Sequence, residues 1–303
     1  MGTHYDLCLA WNWEHDAGFA RVLDEACRAR GVSLWQVGPA DLALAVERLN
    51  RGKATFRLLL DRASEDDPRF AALAEWARGH GADCVNPFEL ARRAANKATL
   101  HRAIFATILT PFTIILPAQR VAPELPAVDL TLVGGHAFTI KPARGGGGAG
   151  VVNAADTLEQ VAQARLQFPD DEYLLQTRIV PVVLGGRPAW FRMIYCTGET
   201  FACWWATDSH NYRPVTTAEE CHYHLAGLTR IAQELARLAG LQLFSTEVAL
   251  TAEGQLLAVD YVNDPIDLRL QSQTPEGVPD QIVQFIAENL ASLALRARRP
   301  AAA

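Results

Sequence analysis

Three observations predict an α/β protein that opens with a parallel sheet. Over residues 1–95, short β-rich runs alternate with helical runs. Near the middle of the chain, a strand bearing Lys141 runs through a glycine loop into a second strand. Near the C-terminus, two apolar β-rich runs flank a Glu253-Gly254 turn. Strands separated by helices imply a parallel sheet with right-handed crossovers.

Taken in order, strands are predicted over 5–11, 32–37 and 55–60, with helices over 16–30, 39–50 and 68–80. This is a small Rossmann-like unit, but Gly-x-Gly-x-x-Gly is missing after its first strand, where Trp11, Asn12, Trp13 and Glu14 stand. Dinucleotide binding is therefore not expected there. Asn86 suits an N-cap, with Pro87 at the first helical position. A second helix carries Asn96, Lys97 and His101, a strand follows over 110–116, and the proline-rich stretch 117–126 reads as an irregular connection. Beyond the glycine loop come a helix over 155–168, a strand over 173–180 that ends at Pro181, and two strands flanking Gly198. A helix over 222–239, the hairpin and a helix over 280–296 complete the chain, and a frayed tail is expected over 299–303.

The 303 residues are 50% hydrophobic and 20% charged, enough to bury a sizeable core. A net charge of -6 argues against broad nucleic-acid binding, which needs a basic face. No apolar run approaches the roughly 20 residues of a membrane span, and no signal-like segment opens the chain, so a cytoplasmic location is expected. Six cysteines are scattered without a Cys-x-x-Cys pair, which suits reduced core thiols rather than disulfides or zinc. His222 and His224 lack further ligands at metal spacing and read as a solvated helix start.

The run 138–152 has the order of a phosphate grip. Apolar and β-branched residues lead to Lys141, and Pro142 blocks continuation into a helix. Without a Cβ at Gly145, Gly146, Gly147 and Gly148, the backbone can turn several N–H groups toward an anion while Lys141 adds a point charge. Four glycines alone would equally suit an interdomain linker; the flanking strands favour the grip. A Walker A loop is set aside, because its lysine follows the glycines and a helix comes next.

The hairpin yields a geometric expectation. With Glu253 and Gly254 as a two-residue turn, Ala252 faces Gln255 and Glu247 faces Asp260. Directly opposed carboxylates repel unless compensated, and a divalent cation bridging to phosphate oxygens does this well. Asn263 adds a neutral oxygen further along the strand. The competing reading pairs one carboxylate with water or an arginine.

Together these residues resemble the ATP-grasp superfamily, in particular the branch of glutathione synthetase, D-alanine:D-alanine ligase and the ribosomal-protein glutamate ligases. The resemblance implies a Rossmann-like N-terminal (pre-ATP-grasp) domain over 1–95, then a two-lobed ATP-grasp fold: a lid lobe with the glycine loop over 96–185 and a central lobe with the metal-binding hairpin over 186–298. Lys97 and Lys141 fall where the family places its phosphate-binding lysines, and Gly145 to Gly150 where it places the mobile loop. The backbone around Gln176, Thr177 and Ile179 resembles the adenine hinge, and Arg192 the arginine near the phosphates. Glu247, Asp260 and Asn263 match the magnesium ligands, with manganese a substitute and Asp264 an alternative to Asn263. The sequence departs from the family at Thr177, where glutamate is usual, at Trp190, often acidic, and at Asp260, where glutamate is usual with asparagine two residues on.

What the resemblance implies is an ATP- and magnesium-dependent ligase joining a carboxylate to an amine or thiol through an acylphosphate. Small-molecule or peptide substrates are expected, with no nucleic acid or membrane partner, and a homodimer is compatible with it. Arg192 and Arg213 are the candidate catalytic residues, since guanidinium groups bind phosphate or carboxylate in two-point contacts. Trp11, Trp13, Trp190, Trp204, Trp205, His210 and Tyr212 are candidates for the acceptor surface, with Asp267 and Arg269 beyond them. Alternatives are an ATP-grasp kinase acting on a hydroxyl, and a nucleotide-binding regulator without turnover.

Overall fold

The structure, a computed structural model, describes residues 2–297; the tail expected over 299–303 lies outside the described residues. Strands β1 (Thr3–Trp11), β2 (Leu34–Val37), β3 (Ala54–Arg62) and β4 (Asp83–Val85) form a parallel sheet in the order β2-β1-β3-β4, joined through α1 (Ala17–Ala29), α2 (Leu42–Asn50) and α3 (Ala71–His80). Residues Phe19, Ala20, Leu23, Ala26 and Cys27 lie along one stripe of α1 and are buried, each large side chain contributing about 1.5–3 kcal/mol. On the other face, Leu42, Ala45 and Leu49 of α2 and Leu73 and Trp76 of α3 close the second core layer.

Helices α4 (Phe88–Ala95) and α5 (Lys97–Ile104) follow. Asn86 is not the N-cap of α4; Pro87 is. Asn86 instead adopts a positive φ of 56°, where asparagine is tolerated. Its side chain accepts from the backbone N–H of Gln242 (2.8 Å) and Leu243 (3.0 Å) and donates to the Leu243 carbonyl. A side chain with the look of a local cap is a tie between the end of β4 and a strand about 157 residues away. The cap of α5 is Asn96, which accepts from Thr99 N–H at 2.8 Å.

A second, four-stranded sheet has the order β5-β8-β6-β7, from β5 (Thr113–Leu116), β6 (Phe138–Pro142), β7 (Val152–Ala155) and β8 (Tyr173–Gln176). Helix α6 (Leu158–Gln167) covers it. The helix expected over 155–168 starts later, because the strand continues to Ala155 and Thr157 with Gln160 forms a capping box. The strand expected over 173–180 stops at Gln176, so 177–180 is free of the ladder.

After the short pair β9 (Val183–Leu184) and β10 (Arg187–Pro188), a five-stranded antiparallel sheet runs β13-β12-β11-β14-β15. Its strands are β11 (Trp190–Cys196), β12 (Glu199–Ala206), β13 (Asn211–Pro214), β14 (Leu243–Leu250) and β15 (Leu256–Asn263). The helix expected over 222–239 is two, α7 (Thr217–His222) and α8 (Gly227–Ala239), so His222 ends a helix rather than starting one. Helix α9 (Asp280–Arg296) packs against α1, and its Ile286, Ala287 and Leu290 share a core with β1 and with Ile194 and Cys196 of the central sheet. No helix among the described residues is long and apolar enough to cross a membrane.

Candidate functional site

A cavity of about 370 Å³ lies between the second sheet and the central sheet, lined by Lys97, Lys141, Gln176 to Ile179, Trp190, Glu247 and Asp260 and by the glycine loop. Lys141 is buried on β6, opposite Leu174. Lys97 opens α5 and donates to the carbonyl of Gly145 at 2.8 Å, tying the helix to the base of the loop. In that loop Gly145, Gly147 and Gly148 adopt φ of 112°, 60° and 78°, and Gly150 is required twice over. Its φ is 72°, and a Cβ there would sit 2.5 Å from the Phe168 ring. Gly146 has neither constraint, which leaves it to contribute backbone openness only.

Glu247 does lie opposite Asp260, but not through the uniform register that the turn implies. Near the turn the pairs are Leu250 with Leu256 and Val248 with Ala258. A bulge then leaves Val259 without a cross-strand partner, and the next pair is Glu247 with Asp260. The unpaired Val259 carbonyl accepts from Lys141 Nζ at 3.0 Å. A second irregularity brings Asn263 opposite Ser245. Asp260 and Asn263 are three residues apart and would point to opposite faces of a regular strand; the extra residue restores Asn263 to the face of Asp260.

Glu247 is gripped from two sides. Arg192 Nη1 is 3.3 Å from Oε1, and Trp190 Nε1 donates to Oε2 at 3.0 Å. Burial nonetheless pushes the Glu247 carboxyl above its ordinary range, reinforced by Asp260 and opposed by Arg192 and Trp190. Lys141 is pushed down by burial and by Lys97, with Asp260 and Glu247 opposing. Lys97 Nζ stands 4.0 Å from Asp260 Oδ1, a buried oxygen with no hydrogen-bond donor. Two facing carboxylates, one with a bare buried oxygen, fit a divalent cation. No group of three or more His, Cys, Asp or Glu side chains at metal-binding spacing occurs among the described residues, so oxygens of a ligand would have to complete such a site.

The two candidate arginines part company. Arg192 pairs across strands with Glu247, donates to Ser245 Oγ at 3.2 Å and lies over the Trp205 ring at 4.6 Å. Arg213 pairs with Trp204, which pairs with Phe191 and so with Val248. Directly opposed residues share a face, so Arg213 is on the far side of the sheet, bonded to Glu219 and stacked over Trp204. Its assignment to the site is corrected on that ground. The tryptophan group also divides: Trp190 lines the cavity, Trp205 with His210 and Tyr212 backs Arg192, Trp204 is on the far side, and Trp13 lies under Arg269. Arg269 in turn is paired with Asp267 at 2.7 Å.

At the hinge, the Thr177 N–H is taken by the Phe112 carbonyl at 3.0 Å, so the free backbone groups begin at the Thr177 carbonyl. A second cavity of about 270 Å³, which no sequence pattern signals, shares Gly145 with the first. Its walls include Arg62, Glu65, Phe88, Arg144 and Asp264. Arg62 is buried against Asp16 (2.6 Å) and the Ile266 carbonyl (2.8 Å), and its Nη1 has no acceptor. Burial raises Asp264 to about 7 against the opposing hydrogen bond from Asn86 and the charge of Arg62. Residues drawn from positions 62 to 264 meet there, and no local spacing announces it.

No model of a known protein family and no curated protein sequence matches the chain. Solved structures do. An ATP-grasp RimK domain protein from Sphaerobacter thermophilus is 22% identical, with a TM-score of 0.63 over 95% of this chain and 99% of that one. The D-cycloserine synthetase DcsG is 18% identical, with a TM-score of 0.61 over 95% and 99%. The ATP-grasp ligase PsnB, in complex with a minimal precursor, Mg and ADP, is 12% identical, with a TM-score of 0.62 over 96% and 98%. Likeness across nearly the whole of each chain shows that this chain shares the fold of these ATP-grasp proteins, with its sheets arranged around a lysine-lined cleft.

Proposed function

We propose that the protein is an ATP- and magnesium-dependent ligase that activates a carboxylate as an acylphosphate and transfers the acyl group to an amine or thiol. The observation that carries this reading is the convergence of Lys97, Lys141, the glycine loop and the Glu247/Asp260 pair on one cavity. The ligases of the same fold, one with Mg and ADP bound, support it. In this reading residues 1–95 form a Rossmann-like unit, 96–185 the lid lobe and 186–298 the central lobe.

Lys97 and Lys141 bind the phosphates, with the N–H groups of the glycine loop above them. Glu247, Asp260 and Asn263 would hold magnesium, which when bound would neutralise phosphate charge. Arg192 keeps Glu247 oriented, and the backbone from Thr177 to Ile179 takes the purine. A substrate carboxylate oxygen attacks the γ-phosphorus and ADP leaves; the amine or thiol then attacks the acyl carbon, and inorganic phosphate departs. Positioning supplies most of the acceleration, since phosphoryl transfer asks little covalent chemistry of the protein. The second cavity adjoins the phosphate end at Gly145 and suits the acceptor.

Screening amino acids and short peptides for ADP release, with and without hydroxylamine, tests the reading. Trapped hydroxamate is expected. A phosphorylated alcohol with no hydroxamate would instead identify a kinase, and nucleotide binding without any ADP release a regulator.

A further inference from the structure

The hydrogen bonds behind the cavity decide which way the Gln176 amide points. Gln176 ends β8 and is nearly wholly buried, yet it lines the cavity. Its side chain meets two hydroxyls, Thr113 Oγ1 at 2.9 Å and Tyr261 OH at 2.9 Å. Thr113 spends its one hydrogen on the Pro111 carbonyl at 2.8 Å. Tyr261 OH shares a hydrogen bond with His101 Nδ1, also at 2.8 Å. Burial, with Lys141 and Arg102 nearby, lowers the His101 pKa and favours the neutral ring, which in its Nε2–H tautomer accepts the Tyr261 hydrogen at Nδ1. The Thr113 hydroxyl therefore offers Gln176 only lone pairs, and the amide must present Nε2 to it. Turning the amide over would set Oε1 against the Thr113 lone pairs in a buried place, an arrangement that leaves polar groups unsatisfied.

With both Nε2 hydrogens committed, Oε1 is the group that Gln176 has left for the cavity. It accepts and cannot donate. A 6-amino purine offers it an N–H; a 6-oxo purine offers a second oxygen. Resting on the nucleotide reading above, we propose that Thr113, Tyr261 and His101 act as positioning residues that fix the purine preference of the cleft, holding Gln176 Oε1 toward the base so that a 6-amino purine nucleotide is taken over a 6-oxo one.

ATP and ITP differ at position 6 and in the proton on N1 but not at position 2, so the change in the ratio of their dissociation constants between native protein and variants, measured by calorimetry on the full chain, reads this contact. The native protein is expected to prefer ATP by about tenfold or more, the scale of a site whose polar group is left unpaired by the wrong ligand. In Thr113→Val with Tyr261→Phe the ratio should fall by about threefold or more from the native value, because nothing then opposes turning the amide. Thr113→Ser keeps the hydroxyl and should keep the ratio. If the double variant does not fold, Thr113→Val alone should still lower the ratio while Thr113→Ser does not. Equal affinity for ATP and ITP in the native protein, or an unchanged ratio in a folded Thr113→Val variant, overturns the inference and leaves the nucleotide reading standing. Binding of neither nucleotide overturns both.

Discussion

Each face of the central sheet carries an arginine, a tryptophan and a glutamate, and the two sets behave in opposite ways. On one face Arg192 lies over Trp205 and pairs with Glu247; on the other Arg213 lies over Trp204 and pairs with Glu219. Glu219 accepts the Thr216 N–H at the start of α7, and that bond with the Arg213 contact holds its carboxyl down at about 2. Glu247 is driven the other way, above its ordinary range, by burial and by Asp260. The residue types are the same. What differs is that Glu219 sits near solvent and caps a helix, whereas Glu247 is desolvated beside a second carboxylate. Satisfied charge at a rim is structure, and crowded like charge in a cavity is held for a ligand.

Five variants test that contrast, and the cavity side should respond most. Glu247→Gln with Asp260→Asn should abolish magnesium-dependent ADP release, a fall of about a thousandfold or more given the role of metal charge in phosphoryl transfer. Turnover that kept its magnesium dependence would show that the pair holds no metal. For Lys141→Ala, nucleotide affinity should drop by roughly ten- to a hundredfold, the worth of a hydrogen bond to a charged group; an unchanged dissociation constant would remove it from the phosphate grip. Trp190→Phe frees Glu247 Oε2 and should cost about tenfold in turnover with little change in melting temperature, the worth of one hydrogen bond to a charged group.

Effects on the far face should be smaller and confined to stability. Arg213→Ala is expected to leave ADP release within about twofold of native and to cost about 0.5 kcal/mol, since its side chain is 42% exposed and the pair is screened. A large loss of activity would break the distinction between the faces. Glu219→Gln supplies the pH test. A carboxyl with a folded-state pKa of about 2 and an ordinary value of 4.5 stabilises fully above pH 4.5, and that stability is lost as pH falls toward 2. Chemical denaturation should therefore show a flatter pH dependence for the variant over that window, with no difference in slope above pH 5.

The elements that follow a local period are legible in the residue order: the alternation of β1 to β4 with helices, the strand that carries Lys141, the glycine loop and the hairpin that brings Glu247 to Asp260. Periodicity and turn chemistry act over a few residues, and a sequence displays them directly. Even there, the register implied by the turn is off by one for the pairs nearest to it, and the bulge at Val259 makes up the difference at Glu247 and Asp260. That bulge is also what frees a carbonyl for Lys141.

Which face each side chain occupies, and which distant residues it meets, is settled by long-range packing. Arg213 cannot be sent to the far side of the sheet without the pairing of β12 with β13, because one residue of register reverses every side chain. Asn86 has the local look of a helix cap, yet Leu243 supplies better partners, and Arg62 and Asp264 line one cavity only because the fold brings positions about 200 residues apart together. The residue order alone supplies the lysines, the glycines and the carboxylates, because their signals are local. Strand pairing across the chain selects which of those charged groups face one another, and face assignments are what separate a site from a surface.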